Sequence, residues 1–115
     1  MARFSFKTGQ LSLDDLHALA TTHQNVALDP VCWPSVDAAH AHVSAIAGGD
    51  DLVYGVNTGF GSLAKTRIET DDLRELQRRL LRSHAAGTGR LLDDDVVGLV
   101  LVLKANSLTR GHSGV

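Results

Sequence analysis

The most constraining feature of this sequence is an apolar run near its end. Residues 96–103 read Val-Val-Gly-Leu-Val-Leu-Val-Leu, directly after three aspartates at positions 93–95. Aspartates are favourable in the first turn of a helix because they meet the positive end of its dipole. A helix that is apolar on every side has to be buried on every side, and this run is too short to span a bilayer. With 115 residues to surround it, we expect this helix to be covered by a larger helical protein or by partner subunits.

The rest of the pattern predicts a mainly α-helical fold with a few short strands. Apolar residues at helical spacing predict three further helices. The first starts at an N-cap Ser12, with Asp15 three positions on as a near capping box, and runs to about Thr21. The second starts at an N-cap Ser35 and stops at Gly48-Gly49. The third is capped by Thr70 or Asp71 and ends at 85–87, with leucines and His84 on one face and Glu75–Arg79 paired on the other.

Short strands are predicted at two places. Alternating apolar and polar residues over 3–7 predict one, which ends at Thr8-Gly9. Residues 51–54 predict a second, which leads into a glycine-rich segment. Between the first two helices, 26–28 form a brief apolar piece before the turn sequence Asp29-Pro30.

Composition limits the classes of function. The formal net charge of −2 gives no indication of nucleic-acid binding, which usually requires a basic surface. A single cysteine excludes an internal disulfide, and the N-terminus has no polybasic run, leader or long apolar span, so we expect a cytoplasmic protein without membrane contact. The chain has six histidines, but His40 and His42 diverge on a helix, and the aspartate triplet is explained by helix capping. We therefore expect no metal site.

The least ordinary segment is the tyrosine loop, residues 54–61, which reads Tyr-Gly-Val-Asn-Thr-Gly-Phe-Gly. Its glycine spacing fits neither the dinucleotide fingerprint nor the phosphate-binding P-loop. Tyr54 is the chain's only tyrosine, and its phenol could serve as a general acid or base. On composition alone, a surface turn with a half-buried aromatic ring is the simpler interpretation. Likewise His84, at the end of the third helix, is either a core histidine or a substrate contact.

Three blocks in order resemble the aromatic amino-acid ammonia-lyases. The first is the tyrosine loop, the second is 76–87, Leu-Gln-Arg-Arg-Leu-Leu-Arg-Ser-His-Ala-Ala-Gly, and the third is 104–115, Lys-Ala-Asn-Ser-Leu-Thr-Arg-Gly-His-Ser-Gly-Val. The Ser83-His84 pair before Ala-Ala-Gly resembles the pair that histidine ammonia-lyases carry at this place. Phenylalanine enzymes tend to carry Phe-Leu there, and tyrosine enzymes tend to carry His-Leu.

The resemblance implies the N-terminal portion of the ammonia-lyase, fumarase/aspartase-like, helical fold. It implies deamination of L-histidine to trans-urocanate and ammonia, with Tyr54 as a catalytic acid/base on a lid and His84 in the substrate pocket. Lid residues would be Gly55, Asn57, Thr58, Gly59, Phe60 and Gly61. It also implies a homotetramer and a methylidene-imidazolone (MIO) electrophile that forms from an internal Ala-Ser-Gly.

This chain departs from the family because it contains no Ala-Ser-Gly triplet. Ser113-Gly114 follows His112 and belongs to the third block. We therefore expect one incomplete N-terminal portion of a catalytic domain over residues 1–115, which is inactive alone and works with the remainder of the enzyme or with sister subunits. Two alternatives stay open, namely a tyrosine or phenylalanine lyase or aminomutase of the same family, and a truncated remnant that acts in binding or assembly.

Overall fold

The computed structural model describes residues 3–22 and 24–114. The chain divides into two compact units, one formed by residues 1–40 and 90–115 and the other by residues 41–89. Helices dominate both units, which confirms the mainly α prediction. Besides two 3₁₀ turns at Pro30–Cys32 and Gly61–Leu63, the described residues form four α-helices and two short strands: β1 (Arg3–Phe6), α1 (Leu13–Thr22), β2 (Asn25–Leu28), α2 (Trp33–Gly48), α3 (Thr70–His84) and α4 (Asp94–Leu108).

In the first unit, two strands and a helix form a small crossover. β1 pairs in parallel with β2, with Arg3 opposite Asn25 and Phe6 opposite Leu28. α1 connects the strands, as a parallel pair requires, and it also packs against α4. The described core of this unit consists of four buried residues, Phe6, Leu19, Cys32 and Val36. The strand at Arg3–Phe6 is confirmed, and the apolar piece at 26–28 is its partner strand.

The start of α1 follows the predicted capping box. The Ser12 hydroxyl accepts the Asp15 backbone N–H at 3.1 Å. The Asp15 carboxylate in return accepts the Ser12 backbone N–H at 2.9 Å and its hydroxyl at 2.7 Å. This reciprocal pair satisfies donors that the helix itself leaves open. The pKa of the Asp15 carboxyl lies below its ordinary value, mainly because the carboxylate accepts the Ser12 backbone N–H and, to a smaller extent, because it accepts the Ser12 hydroxyl.

Two predicted helix starts are wrong. α2 begins at Trp33 rather than after Ser35, because the Asp29 carboxylate caps a 3₁₀ turn over Pro30–Cys32 that continues directly into the helix. Ser35 lies inside α2, where its hydroxyl donates to the Cys32 carbonyl. α3 begins at Thr70 with Glu69 as its cap residue, and no side chain makes the capping bond. The predicted stops at Gly48-Gly49 and at 85–87 are confirmed, since α2 ends at Gly48 and α3 ends at His84.

α4 is the helix that the apolar run predicts, with Asp93 as its cap residue. Leu99 and Val102 are half-buried, but most of its apolar side chains are not covered by the described part of the chain. Val100 is 55 % exposed and Leu101 is 65 % exposed, and three further apolar residues of the run, Val96, Val97 and Leu103, are at least 40 % exposed. An exposed apolar surface of this kind marks a site of interaction with a covering partner. No described helix is both long enough and apolar enough to cross a membrane.

Candidate functional site

The tyrosine loop begins with a tight turn that presents Tyr54. The Val56 backbone N–H donates to the Val53 carbonyl at 3.0 Å, which closes a four-residue turn over 53–56. Gly55, the third residue, has a φ of +76°, a left-handed conformation that glycine adopts without strain and that a type II turn needs at this place. The predicted strand at 51–54 is therefore wrong, because this segment bends into the turn instead of pairing.

The side chain of Asn57 holds this turn in place through hydrogen bonds to backbone groups. Its side chain is fully buried, and its amide oxygen accepts the Val53 backbone N–H at 2.8 Å. Its amide nitrogen donates to the Asp51 carbonyl at 2.8 Å and to the Ile46 carbonyl, in the last turns of α2, at 3.1 Å. Three directed bonds from one buried amide specify a single conformation of the backbone around Tyr54.

The second half of the loop is held against the following segment. The Gly59 N–H donates to the Thr66 carbonyl at 3.1 Å, and the Ile68 N–H donates to the Asn57 carbonyl at 3.0 Å. Thr58 is buried at 1 % exposure. A Cβ on Gly59 would lie 2.5 Å from the Leu63 Cβ, so only glycine fits this close approach. The base of the loop is consequently hydrogen-bonded and tightly packed.

The rim of the loop is aromatic and accessible. Tyr54 is 62 % exposed. Its ring meets the ring of Phe60 edge to face, with centroids 5.7 Å apart and an interplanar angle of 78°. Such a pair contributes about 0.5–1.5 kcal/mol beyond the burial of area. The loop therefore combines a fixed, polar, buried base with an exposed phenol that is steadied by one aromatic neighbour.

His84 is the last residue of α3, and it is exposed together with Ser83. The His84 Nδ1 lies 2.8 Å from the Leu80 carbonyl oxygen and 3.0 Å from the Ser83 hydroxyl. The helix ends here because the Ala86 N–H turns back to the His84 carbonyl at 2.9 Å across Ala85, whose φ and ψ are −78° and 62°. This tight turn follows the helix at the predicted place.

The other face of α3 is charged. The predicted Glu75–Arg79 ion pair is present, with a nitrogen–oxygen distance of 3.1 Å, and it is exposed. Leu73, Leu76 and Leu80 are half-buried as predicted, but Leu81 is 71 % exposed. Leu81 is turned about 100° around the helix from Leu80, so it does not share the covered face.

The tyrosine loop and His84 belong to the same unit, residues 41–89. No hydrogen bond joins the loop to Ser83 or His84 in the part of the chain that the structure describes. The roles that the sequence suggests for Tyr54 and His84 therefore stay predictions. The three side-chain hydrogen bonds of Asn57 were not predicted from the sequence. The feature of the sequence that could have indicated them is the position of Asn57, a polar residue, inside a glycine-rich segment.

The third block has a structural role in the other unit. The Gly9 backbone N–H donates to the Asn106 side-chain oxygen at 2.7 Å, and the hydroxyls of Thr8 and Thr109 lie 3.1 Å apart. A Cβ on Gly111 would lie 3.0 Å from the Ser35 carbonyl oxygen. These contacts tie the end of α4 to the turn after β1 and to the start of α2. Among residues 3–22 and 24–114, no three His, Cys, Asp or Glu side chains lie close enough together to hold a metal ion.

The comparisons with known proteins agree along the chain. The family model of aromatic amino acid lyases matches residues 11–115. A histidine ammonia-lyase of Photorhabdus laumondii is 44 % identical over 115 residues, which are 100 % of this chain and 22 % of that protein. One of Paracidovorax citrulli is 50 % identical over 107 residues, which are 93 % of this chain and 21 % of that protein. The chain thus spans about a fifth of the length of the relatives it matches.

Solved structures show the same fold. Ergothionase, an ergothioneine-degrading enzyme of Treponema denticola, superposes with a TM-score of 0.90 at 26 % identity. The superposed region is 99 % of this chain and 23 % of the ergothionase chain. Tyrosine aminomutase of Streptomyces globisporus superposes with a TM-score of 0.87 at 26 % identity, over 99 % of this chain and 22 % of its own. The predicted fold, the corresponding portion of the ammonia-lyase architecture, is confirmed.

Proposed function

The chain belongs to the aromatic amino acid lyase family, and we propose that it is the part of a histidine ammonia-lyase that carries the tyrosine loop. The complete enzyme would convert L-histidine to trans-urocanate and ammonia. One observation carries this proposal: the named relatives share 44–50 % identity over 93–100 % of the chain. Because the chain spans about a fifth of those relatives, the activity is proposed for the complete enzyme and not for these residues alone.

Tyr54 is proposed as the acid/base. The proton to be removed from the amino acid is weakly acidic, so a base has to be held in place at hydrogen-bond distance. An exposed phenol on a turn whose base is fixed by Asn57 meets that need. Rigid placement of a catalytic group lowers the entropic part of the barrier. The aromatic contact with Phe60 restricts the ring further.

The remaining loop residues are proposed to shape a lid. Gly55 and Gly61 adopt positive φ values of 76° and 59°, and Gly59 permits the close approach to Leu63. Asn57 and Thr58 form the buried base. A lid that closes on substrate excludes water and completes the arrangement of catalytic groups. The substrate pocket would include His84, whose ring is exposed at the end of α3.

The family's MIO group would supply the electrophile that makes the proton removable. It forms from Ala-Ser-Gly, and these 115 residues contain no such triplet. The residues present therefore do not fit as its source, and we propose that another segment of the complete enzyme provides it. For this reason we expect the chain alone to be inactive with L-histidine.

Partner segments are also proposed to cover α4. Its exposed valines and leucines form the kind of surface that the interior of a multi-subunit bundle buries. We propose that the remainder of the enzyme and its sister subunits, assembled as a homotetramer, bury this helix. A cytoplasmic location stays a prediction from the sequence.

A second candidate is a tyrosine- or phenylalanine-directed member of the same family. The observation that supports this second candidate is the structural similarity to a tyrosine aminomutase, with a TM-score of 0.87 over 99 % of the chain. The identity of 26 % to that enzyme is well below the 50 % shared with a histidine ammonia-lyase. The first candidate is therefore preferred.

A chimeric enzyme tests the proposal. Residues 11–115 would replace the matching segment in the Paracidovorax citrulli histidine ammonia-lyase, and turnover of L-histidine, L-tyrosine and L-phenylalanine would be compared. We expect urocanate from L-histidine, and none from the isolated chain. Preference for L-tyrosine or L-phenylalanine would support the second candidate. A folded chimera that acts on none of the three would support a non-catalytic remnant instead.

A further inference from the structure

At the end of α3, the Nδ1 of His84 has two hydrogen-bonding neighbours. The His84 Nδ1 lies 2.8 Å from the Leu80 carbonyl oxygen and 3.0 Å from the Ser83 Oγ, and the Ser83 hydroxyl itself donates to the same carbonyl at 2.8 Å. These three groups lie within one helical turn. They form a small network whose hydrogen-bond directions can be deduced.

A carbonyl oxygen can only accept, so the Nδ1 beside it has to carry the proton. An unprotonated Nδ1 at 2.8 Å from that oxygen would place two lone pairs against each other. The Ser83 hydroxyl uses its proton on the Leu80 carbonyl, which leaves its oxygen lone pairs for Nδ1. Both neighbours of Nδ1 therefore favour the same tautomer. In the neutral ring, Nε2 is then unprotonated and is an acceptor.

We propose that Ser83 is a positioning residue that holds His84 in the Nδ1–H tautomer, so that Nε2 accepts a hydrogen bond from the substrate ring. This inference rests on the proposed function of His84 in the substrate pocket. It adds a chemical requirement to the substrate: the ring has to present a donor. An imidazole N–H satisfies this requirement, and a phenyl ring does not. A site built around an acceptor rejects a ligand that leaves it unpaired.

The tautomer can be measured on the full chain without any substrate. Histidine would be labelled with ¹⁵N, and long-range ¹H–¹⁵N correlation spectra at alkaline pH, where imidazoles are neutral, would report which ring nitrogen carries the proton. The His84 signals are identified by their loss in His84→Gln. We expect the Nδ1–H form at His84. In Ser83→Ala the ratio of Nδ1–H to Nε2–H should fall roughly threefold to tenfold, as loss of one hydrogen bond allows.

Ser83→Thr is the matched control because it keeps the hydroxyl, and it should retain the ratio of the parent chain. A structural role of Ser83 at the helix end would change the helical circular dichroism of Ser83→Ala but not the tautomer ratio. A parent chain with His84 in the Nε2–H form would overturn the proposal, and so would an unchanged ratio in Ser83→Ala.

The chimera supplies a second readout. Ser83→Ala should raise KM for L-histidine several-fold with a smaller effect on kcat, and Ser83→Thr should restore it. An unchanged KM in Ser83→Ala would contradict the role of Ser83 in substrate binding. If the parent chimera does not act on L-histidine, the proposed function fails, whereas the tautomer measurement on the chain still decides the state of His84.

Discussion

The buried side-chain oxygen of Asn57 accepts the backbone N–H of Val53, the residue directly before Tyr54, at 2.8 Å. The same amide donates to carbonyls of Asp51 and Ile46. One side chain thus ties the start of the tyrosine loop to its middle and to the end of α2. Asn57 therefore holds the backbone directly before Tyr54.

Asn57→Ala should destabilise the unit strongly. It leaves the Val53 N–H and two carbonyls without their buried partner, which should cost at least about 2 kcal/mol in the free energy of unfolding. Urea unfolding followed by circular dichroism measures the change. Gln77→Ala, at an exposed amide of α3, is the control and should change stability by less than about 0.5 kcal/mol. Equal effects of the two substitutions would contradict the anchoring role.

Gly59→Ala tests the close packing at the base of the loop. The new Cβ would lie 2.5 Å from the Leu63 Cβ and 3.1 Å from its carbonyl oxygen. We expect a loss of about 1–3 kcal/mol from this overpacking. Gly48→Ala, where nothing lies within 4 Å of the new atom, should be neutral or stabilise by up to about 1 kcal/mol. Thermal unfolding of the two variants side by side makes the comparison, and a tolerated Gly59→Ala would disprove the packing described here.

Asp15 gives the chain an acid-sensitive contact. Because its pKa in the folded chain lies below the ordinary value of 3.8, its contribution to stability is full above that value. The contribution is lost as pH falls through the lower pKa of the folded state. The parent chain should therefore lose more stability on acidification below pH 3.8 than Asp15→Asn does. Asp14→Asn removes a charge from the same turn and should keep the acid sensitivity, as unfolding at a series of pH values can determine.

Local signals predicted the parts of the fold that depend on few residues. The Ser12–Asp15 capping box, the Glu75–Arg79 pair and the ends of α2 and α3 all follow from short-range chemistry. The parallel pairing of β1 with β2 joins residues about twenty positions apart, and four-residue strands give little sign of their partners. Ser35 was wrong as a cap because Asp29 starts the turn earlier.

The site was predictable from its motif but not from its contacts. The glycine spacing alone favours a surface turn, and the resemblance of three blocks identified the family, which the comparisons confirm. The strand predicted at 51–54 failed because the side chain of Asn57 takes the Val53 N–H that a strand would use. Which neighbours surround Nδ1 of His84 depends on rotamers, and a sequence does not contain that information.

The most direct test of the account is the rate of the chimera with Tyr54→Phe. This substitution removes only the hydroxyl and keeps the ring that meets Phe60. We predict that kcat for L-histidine falls by about 10²–10⁴-fold, as loss of a general acid or base does, with the fold unchanged by circular dichroism. Trp33→Phe, an aromatic change in the other unit, is the control. A Tyr54→Phe chimera that keeps the parent kcat would contradict the assignment of Tyr54 as the acid/base.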